Sequence, residues 1–230
     1  MTDILGNAIL DYYNSNKPSK LWIHNTYGPR EEMPLGVYFR TRFDMPDMEL
    51  TALNLCRGKV LDIGAGAGSH ALILQDDGID VTALEISEGA ADVMKVRGVQ
   101  KIVQCDFFTY NGGTFDTLLL LMNGIGLTQT LEGLNAFLKQ AETLLNPNGQ
   151  ILFDSSDIAY LYEEGKSEQT NYYGEIMYRY EYKRQKGEWF NWLYVDKNTL
   201  RNVAASNGWE CIVLEEDEYD QYLVQLKKCK

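Results

Sequence analysis

The stretch Val60-Leu61-Asp62-Ile63-Gly64-Ala65-Gly66-Ala67-Gly68-Ser69-His70-Ala71-Leu72 constrains the fold more than any other. An apolar strand runs there into three glycines at alternate positions and then into a helix. Lacking Cβ, these glycines reach φ > 0 in a tight turn and let a ligand lie against bare backbone. The helix from about Ser69 aims its first N–H groups at the same place. The unit is a strand, a turn that binds something small and polar, and a helix.

From Lys59 onward, strand and helix patterns alternate. Strands are predicted over 80–85, 101–104, 115–122 and 150–153, and helices over 87–96 and 131–145. Ser87 reads as an N-cap and Gly98 as the residue just past the helix end. Residues 106–115 contain Asn111-Gly112-Gly113 and are too broken for a crossover helix, and Asn146-Pro147-Asn148-Gly149 reads as a turn. A helix over 199–207 and strands over 209–214 and 222–226 close the chain. This alternation predicts an α/β fold, a doubly wound and mostly parallel sheet covered on both faces.

Charge separates the possible ligands. Gly66 to Ala71 also satisfies the relaxed dinucleotide pattern G-x-G-x-x-A. However, Asp62 precedes the loop, Glu85 closes the next strand, Asp106 follows the third, and the loop has no Lys or Arg. Three carboxylates repel a pyrophosphate and suit a sulfonium, an ammonium and ribose hydroxyls. On Asp62-x-Gly64-x-Gly66-x-Gly68, Glu85 and Asp106-Phe107, the chain resembles the class I S-adenosylmethionine-dependent methyltransferases. The terminal strand pair carries the resemblance further, since this class ends in a hairpin whose last strand enters the sheet antiparallel.

The resemblance implies a Rossmann-like sheet of seven strands and S-adenosylmethionine as the cofactor. It assigns Asp62, Gly64, Ala65, Gly66 and Gly68 to the donor loop, Glu85 to the ribose hydroxyls and Ile86 to the adenine face. Asp106 would accept from the adenine amino group, with Phe107 beside it. Asn123 and Gly124, after the fourth strand, would face the methyl group or the donor's ammonium. Methyl transfer needs orientation above all, and a base only where the acceptor must lose a proton. His24, in a segment expected to be a loop over the cleft, and Asp154, at the end of the fifth strand, are the candidate catalytic groups. His70, inside the helix, reads as a packing residue.

The resemblance implies that residues 1–57 are an extension packed beside or over the cofactor cleft, and 58–230 the methyltransferase domain. Within the extension, a helix over 3–13 is closed by Asn14-Ser15-Asn16-Lys17-Pro18. The segment 21–30 has no clear period, and a helix spans 46–55. Tyr38, Arg40 or Arg42 is expected near the cofactor or a substrate carboxylate. Within the domain, residues about 158–196 read as an insertion: Glu175–Arg184 and Glu188–Val195 alternate like a hairpin around Gln185-Lys186-Gly187-Glu188 and are crowded with aromatics. That hairpin is a substrate wall, a homodimer interface or a packed edge.

A net charge of −12 argues against a nucleic-acid partner. No apolar run has membrane-spanning length, and residues 1–11 lack a basic n-region. The four cysteines show no C-x-x-C spacing, which suggests free thiols in the cytoplasm and no metal site. The expected function is methyl transfer to a small molecule, less so to a protein. A nicotinamide-dinucleotide oxidoreductase and a non-catalytic binding module with the same fold are the alternatives.

Overall fold

A computed structural model describes residues 2–15, 18–162 and 171–229. Asn16 and Lys17, expected to help close the first helix, and residues 163–170 of the expected insertion lie outside the described residues.

Asp3 starts helix α1 (Ile4–Asn14), its carboxylate accepting from the Gly6 N–H at 2.8 Å, a bond that satisfies a donor left over at a helix start. Strands β1 (Leu21–His24) and β2 (Glu31–Met33) follow, then 3₁₀ turns over Leu35–Phe39 and Arg42–Asp44, and helix α2 (Asp47–Leu55). Next come β3 (Lys59–Ile63), α3 (Ser69–Asp76), β4 (Asp80–Glu85), α4 (Glu88–Arg97), β5 (Ile102–Gln104) and β6 (Phe115–Leu120). Helix α5 (Leu131–Leu144) buries Leu134, Phe137, Leu138, Ala141 and Leu144, one stripe at helical spacing. After β7 (Leu145–Ser156) come β8 (Glu175–Tyr182), β9 (Gln185–Lys186), β10 (Phe190–Leu193), α6 (Lys197–Ser206), β11 (Trp209–Glu216) and β12 (Gln221–Lys228).

The large sheet has the order β11-β12-β7-β6-β3-β4-β5. Strands β4 and β5 pair in parallel, as do β6 and β7, whereas β12 lies between β7 and β11 and is antiparallel to both. This is the Rossmann-like, mostly parallel sheet with an inserted antiparallel last strand. Leu118, Leu119, Leu120, Ile151, Leu152 and Phe153 are all fully buried, as strands covered on both faces must be.

Two local readings of the sequence need correction. Segment 21–30 is not wholly loose: β1 pairs antiparallel with β2 on one side and with β8 on the other. Ile23 lies opposite Tyr180 and Leu21 opposite Tyr182, so the strand is held by cross-strand partners far along the chain. The Asn146–Gly149 turn lies inside β7 as a bulge. Leu145 pairs with Phe115 and Gln150 with Thr117, and Asn148 takes φ +63° between them.

The chain forms two compact units, each assembled from separated segments: 1–46, 61–110 and 177–190 in the first, and 47–60, 111–176 and 191–230 in the second. In the first, Ile4, Ala8, Ile9, Leu21, Leu35, Ala67, Ala90, Val93 and Tyr182 share one buried cluster. The N-terminal helix and the glycine loop are thus parts of one core.

Candidate active site

The glycine loop of the first unit is built as its sequence demands, with Gly64, Gly66 and Gly68 at φ +71°, +55° and +82°. Their surroundings differ. A Cβ built at Gly64 meets nothing within 4 Å, one at Gly66 comes to 3.0 Å from the Tyr38 ring, and one at Gly68 comes to 2.7 Å from Val99 and 2.9 Å from Met94. Only Gly64 therefore offers open backbone, whereas Gly68 is a close-packing glycine. The Gly64 and Ala65 N–H groups donate to Leu84 O, and that of Gly68 to Ala65 O, which fixes the loop's shape from within.

Glu85 holds this loop from the end of β4. Its Oε2 accepts from the Gly66 N–H at 2.8 Å and its Oε1 from the Ser87 N–H at 2.9 Å. Burial raises its pKa from the ordinary carboxylate range, against those bonds. The Ile86 N–H acts on the same carboxylate, and three N–H groups on about four lone-pair sites leave room for a further donor, such as one hydroxyl of a diol. The next residue, Ile86, is 66% exposed. A buried acceptor, an exposed apolar face and open backbone at Gly64 together fit a nucleoside donor, and no basic residue is present in the loop to receive a phosphate.

Other predicted residues of this unit have different surroundings. Asp62 is 2% exposed in β3, with Oδ2 buried and unpartnered; burial lifts its pKa to about 6, with His70 and the Ala71 N–H opposing. Asp106 caps a turn over Phe107–Thr109 by accepting from the Phe108 N–H at 2.9 Å, and Phe107 is buried. Tyr38 lies on Gly66, and desolvation raises its phenol well above the ordinary tyrosine value. Arg40 donates from Nε to Val37 O at 3.1 Å, and Arg42 pairs with Asp77.

His24 needs a correction of place. It ends β1 instead of standing in a loop, because β1 is clamped between β2 and β8. Its Nε2 lies 2.7 Å from Glu181 Oε2, and Glu181 also meets Arg30 at 3.3 Å and Lys186 at 3.7 Å.

Arg97 was not singled out by the sequence. From the end of α4 its Nη1 donates to Ala67 O at 2.6 Å, to Ser69 Oγ at 3.2 Å and to Tyr38 O at 3.4 Å, and its guanidinium lies over the Phe39 ring. Ser69 Oγ also donates to Tyr38 O at 2.7 Å. One arginine thereby binds the glycine loop to the Leu35–Phe39 turn. A basic residue in a helix's last turn reads locally as a partner for the helix dipole, which hid this role.

In the second unit, Asp154 lies next to the end of the buried run of β7, which Ser155 closes, and is 1% exposed. Its Oδ2 accepts from the Asn123 N–H and from Gln221 Nε2, both at 2.9 Å. Burial pushes its pKa to about 6 against those bonds, with the Glu49 charge adding to the rise. Asn123 precedes Gly124 in a left-handed conformation at φ +53°, and its Nδ2 donates to Leu193 O at 3.3 Å.

A family model for a methyltransferase domain matches residues 40–214. A solved structure of a SAM-dependent methyltransferase from Bacteroides fragilis, in complex with S-adenosyl-L-homocysteine, is 41% identical. It covers 99% of this chain and 95% of its own at a TM-score of 0.93. CcbJ methyltransferase from Streptomyces caelestis shares the fold over 100% of both chains, with a TM-score of 0.65 at 15% identity. The curated relative YqeM of Bacillus subtilis is 28% identical over 104 residues, which are 43% of this chain and 42% of that relative, so the match spans less than half of either. By its sheet, its glycine loop and a family match over most of its length, the chain belongs to the methyltransferase-domain family.

Proposed function

We propose that this protein transfers a methyl group from S-adenosylmethionine to a small-molecule acceptor. The observation that carries the reading is Glu85, whose two oxygens are fixed by the Gly66 and Ser87 N–H groups beside an open Gly64 backbone and an exposed Ile86. The donor brings an already activated methyl group, so the chain's residues have to orient it and exclude other ligands. In this reading Glu85 holds the ribose hydroxyls, Ile86 covers the adenine and Gly64 gives its bare backbone to the amino-acid part. Asp106 and Phe107 complete the adenine end. Tyr38, set by Arg97 and Ser69, presses on the loop from the N-terminal segment. The methyltransferase domain is assigned to 58–230, with residues 1–57 as its extension.

Asp154 and His24 remain the two acid–base groups of the proposal. Asp154 is preferred because its Oδ1 is uncommitted, whereas His24 is engaged by Glu181. Among the described residues no helix is long and apolar enough to cross a membrane. The scattered cysteines, without C-x-x-C spacing, suit a cytoplasmic setting, and the net charge of −12 speaks against nucleic acid as acceptor.

Calorimetric titration with S-adenosylhomocysteine, and in parallel with NAD, tests the donor. Micromolar binding of the first alone is expected. Glu85→Ala should weaken it roughly 10- to 100-fold, the range for a lost hydrogen bond to a charged group. A thermal melt of the variant separates lost binding from lost fold. Binding of NAD alone would refute the donor assignment.

A further inference from the structure

The second unit holds two buried oxygens that lack donors. Both donors to Asp154, the Asn123 N–H and Gln221 Nε2, fall on Oδ2, and Oδ1 is buried without a partner. Asn123 is bonded to that same carboxylate through its backbone. Its own side-chain Oδ1 is also buried without a partner, its Nδ2 being turned to Leu193 O. A buried acceptor left unpaired costs about 1–3 kcal/mol, more for a charged group. The backbone here is also held against its preference, with Met122 at φ +60° and Asn123 at φ +53°. Such conformations persist where the surroundings impose them, and they cluster at functional sites. Glu49 of α2, 6% exposed, adds a second buried carboxylate whose charge acts on Asp154.

Donor number and charge together narrow what completes this site, since a water brings two O–H donors but no charge to set against the carboxylates. A hydroxyl has one O–H and satisfies one of the two oxygens, and an anion satisfies neither. An ammonium has up to three N–H donors and a charge that the carboxylates favour.

We propose that Asp154 Oδ1 and Asn123 Oδ1 receive the nitrogen of the methyl acceptor, which makes the acceptor a small primary or secondary amine. The inference rests on the methyltransferase reading and narrows it. The ammonium gives one proton to Asp154. The nitrogen lone pair then forms the N–CH₃ bond as the donor's S–C bond breaks, and that bond's electron pair stays on sulfur.

Matched probes test this by calorimetry on the full chain with S-adenosylhomocysteine present: benzylamine against benzyl alcohol, and glucosamine against glucose. At least one amine should bind about tenfold or more tighter than its hydroxyl counterpart, as expected for charged hydrogen bonds. Asp154→Asn should remove that preference. Asn123→Gly, which keeps the left-handed backbone at no steric cost, should reduce the preference also, and it tests the site if the Asp154 variant does not fold. If amines and alcohols bind alike or not at all, or if neither variant changes the preference, the amine site is refuted while the donor reading stands. If the wild-type protein does not bind S-adenosylhomocysteine, both fall together.

Discussion

Gly64, Gly66 and Gly68 share a left-handed backbone, so φ alone makes any side chain unwelcome at each; the usual penalty is roughly 1–2 kcal/mol. What a new methyl group would meet then separates them. At Gly64 it meets nothing, whereas at Gly68 it runs into Val99 and Met94 from two directions. Gly64→Ala should therefore cost only the conformational penalty in stability and act mainly on donor binding, because the methyl group occupies the open space beside the loop. Gly68→Ala should lose a further 1–3 kcal/mol or so from overpacking. Chemical denaturation of both variants, with S-adenosylhomocysteine titration of each, reads the two effects separately. Equal stability losses, or unchanged binding in Gly64→Ala, would contradict this division of roles. Glu85 sits on the same boundary between fold and function, since its carboxylate holds the loop through Gly66 and keeps lone pairs for a ligand.

At the scale of elements, α1 and α4 meet backbone to backbone. A Cβ at Gly89 would lie 2.6 Å from Gly6 C and O, and the Asp3 carboxylate that caps α1 also accepts from Ser87 Oγ at 2.8 Å and from the Gly89 N–H at 3.1 Å. Alanine at position 89 gains about 1 kcal/mol of helix propensity but must push against backbone that has no side-chain freedom. Gly89→Ala is accordingly expected to destabilise by a net 1–2 kcal/mol or so, read as a lower midpoint in urea; a neutral or raised midpoint would mean the helices separate at little cost. The same pair shows what the sequence discloses. Both ends of α4 were readable, from Ser87 as N-cap and Gly98 at φ +95°, because capping is chemistry between near neighbours. The glycine loop, the alternation of strands and helices and the terminal strand pair were readable for the same reason or from period. Strand β1 was not, because Leu21-Trp22-Ile23-His24 has no alternation of its own and is held by β8, more than 150 residues on. His24 was misplaced with it, and its contact with Glu181 lies 157 residues away. Arg97 escaped because its partners are carbonyls and a hydroxyl in another segment, which no local spacing announces.

For the molecule as a whole, its carboxylates pull stability in opposite directions with pH. Asp116 is held below the ordinary range by the Lys59 N–H and by Asn146, and Asp44 by Thr41. Such groups contribute stability above their unfolded pKa and lose it as pH falls through the lower folded value. Asp62 and Asp154 do the reverse, since burial lifts each to about 6, whereas the unfolded chain titrates near 4. Between about pH 4 and pH 6 the folded protein keeps protons that the unfolded chain has released, so at these two sites stability declines as pH rises. A displacement of about two pH units corresponds to roughly 3 kcal/mol per group at full effect. Asp62 is the cleaner site to test, because its remaining bond is from the Ala71 N–H and an asparagine carbonyl can accept it equally. Relative to wild type, Asp62→Asn should gain stability progressively from about pH 4 to about pH 7, by up to roughly 3 kcal/mol, with the gain absent at the acid end. Urea unfolding of both proteins across that range measures the gap directly. A gap that stays constant with pH would show that Asp62 ionises in the folded protein as it does in the unfolded chain, and that its burial is relieved by a partner such as a bound water.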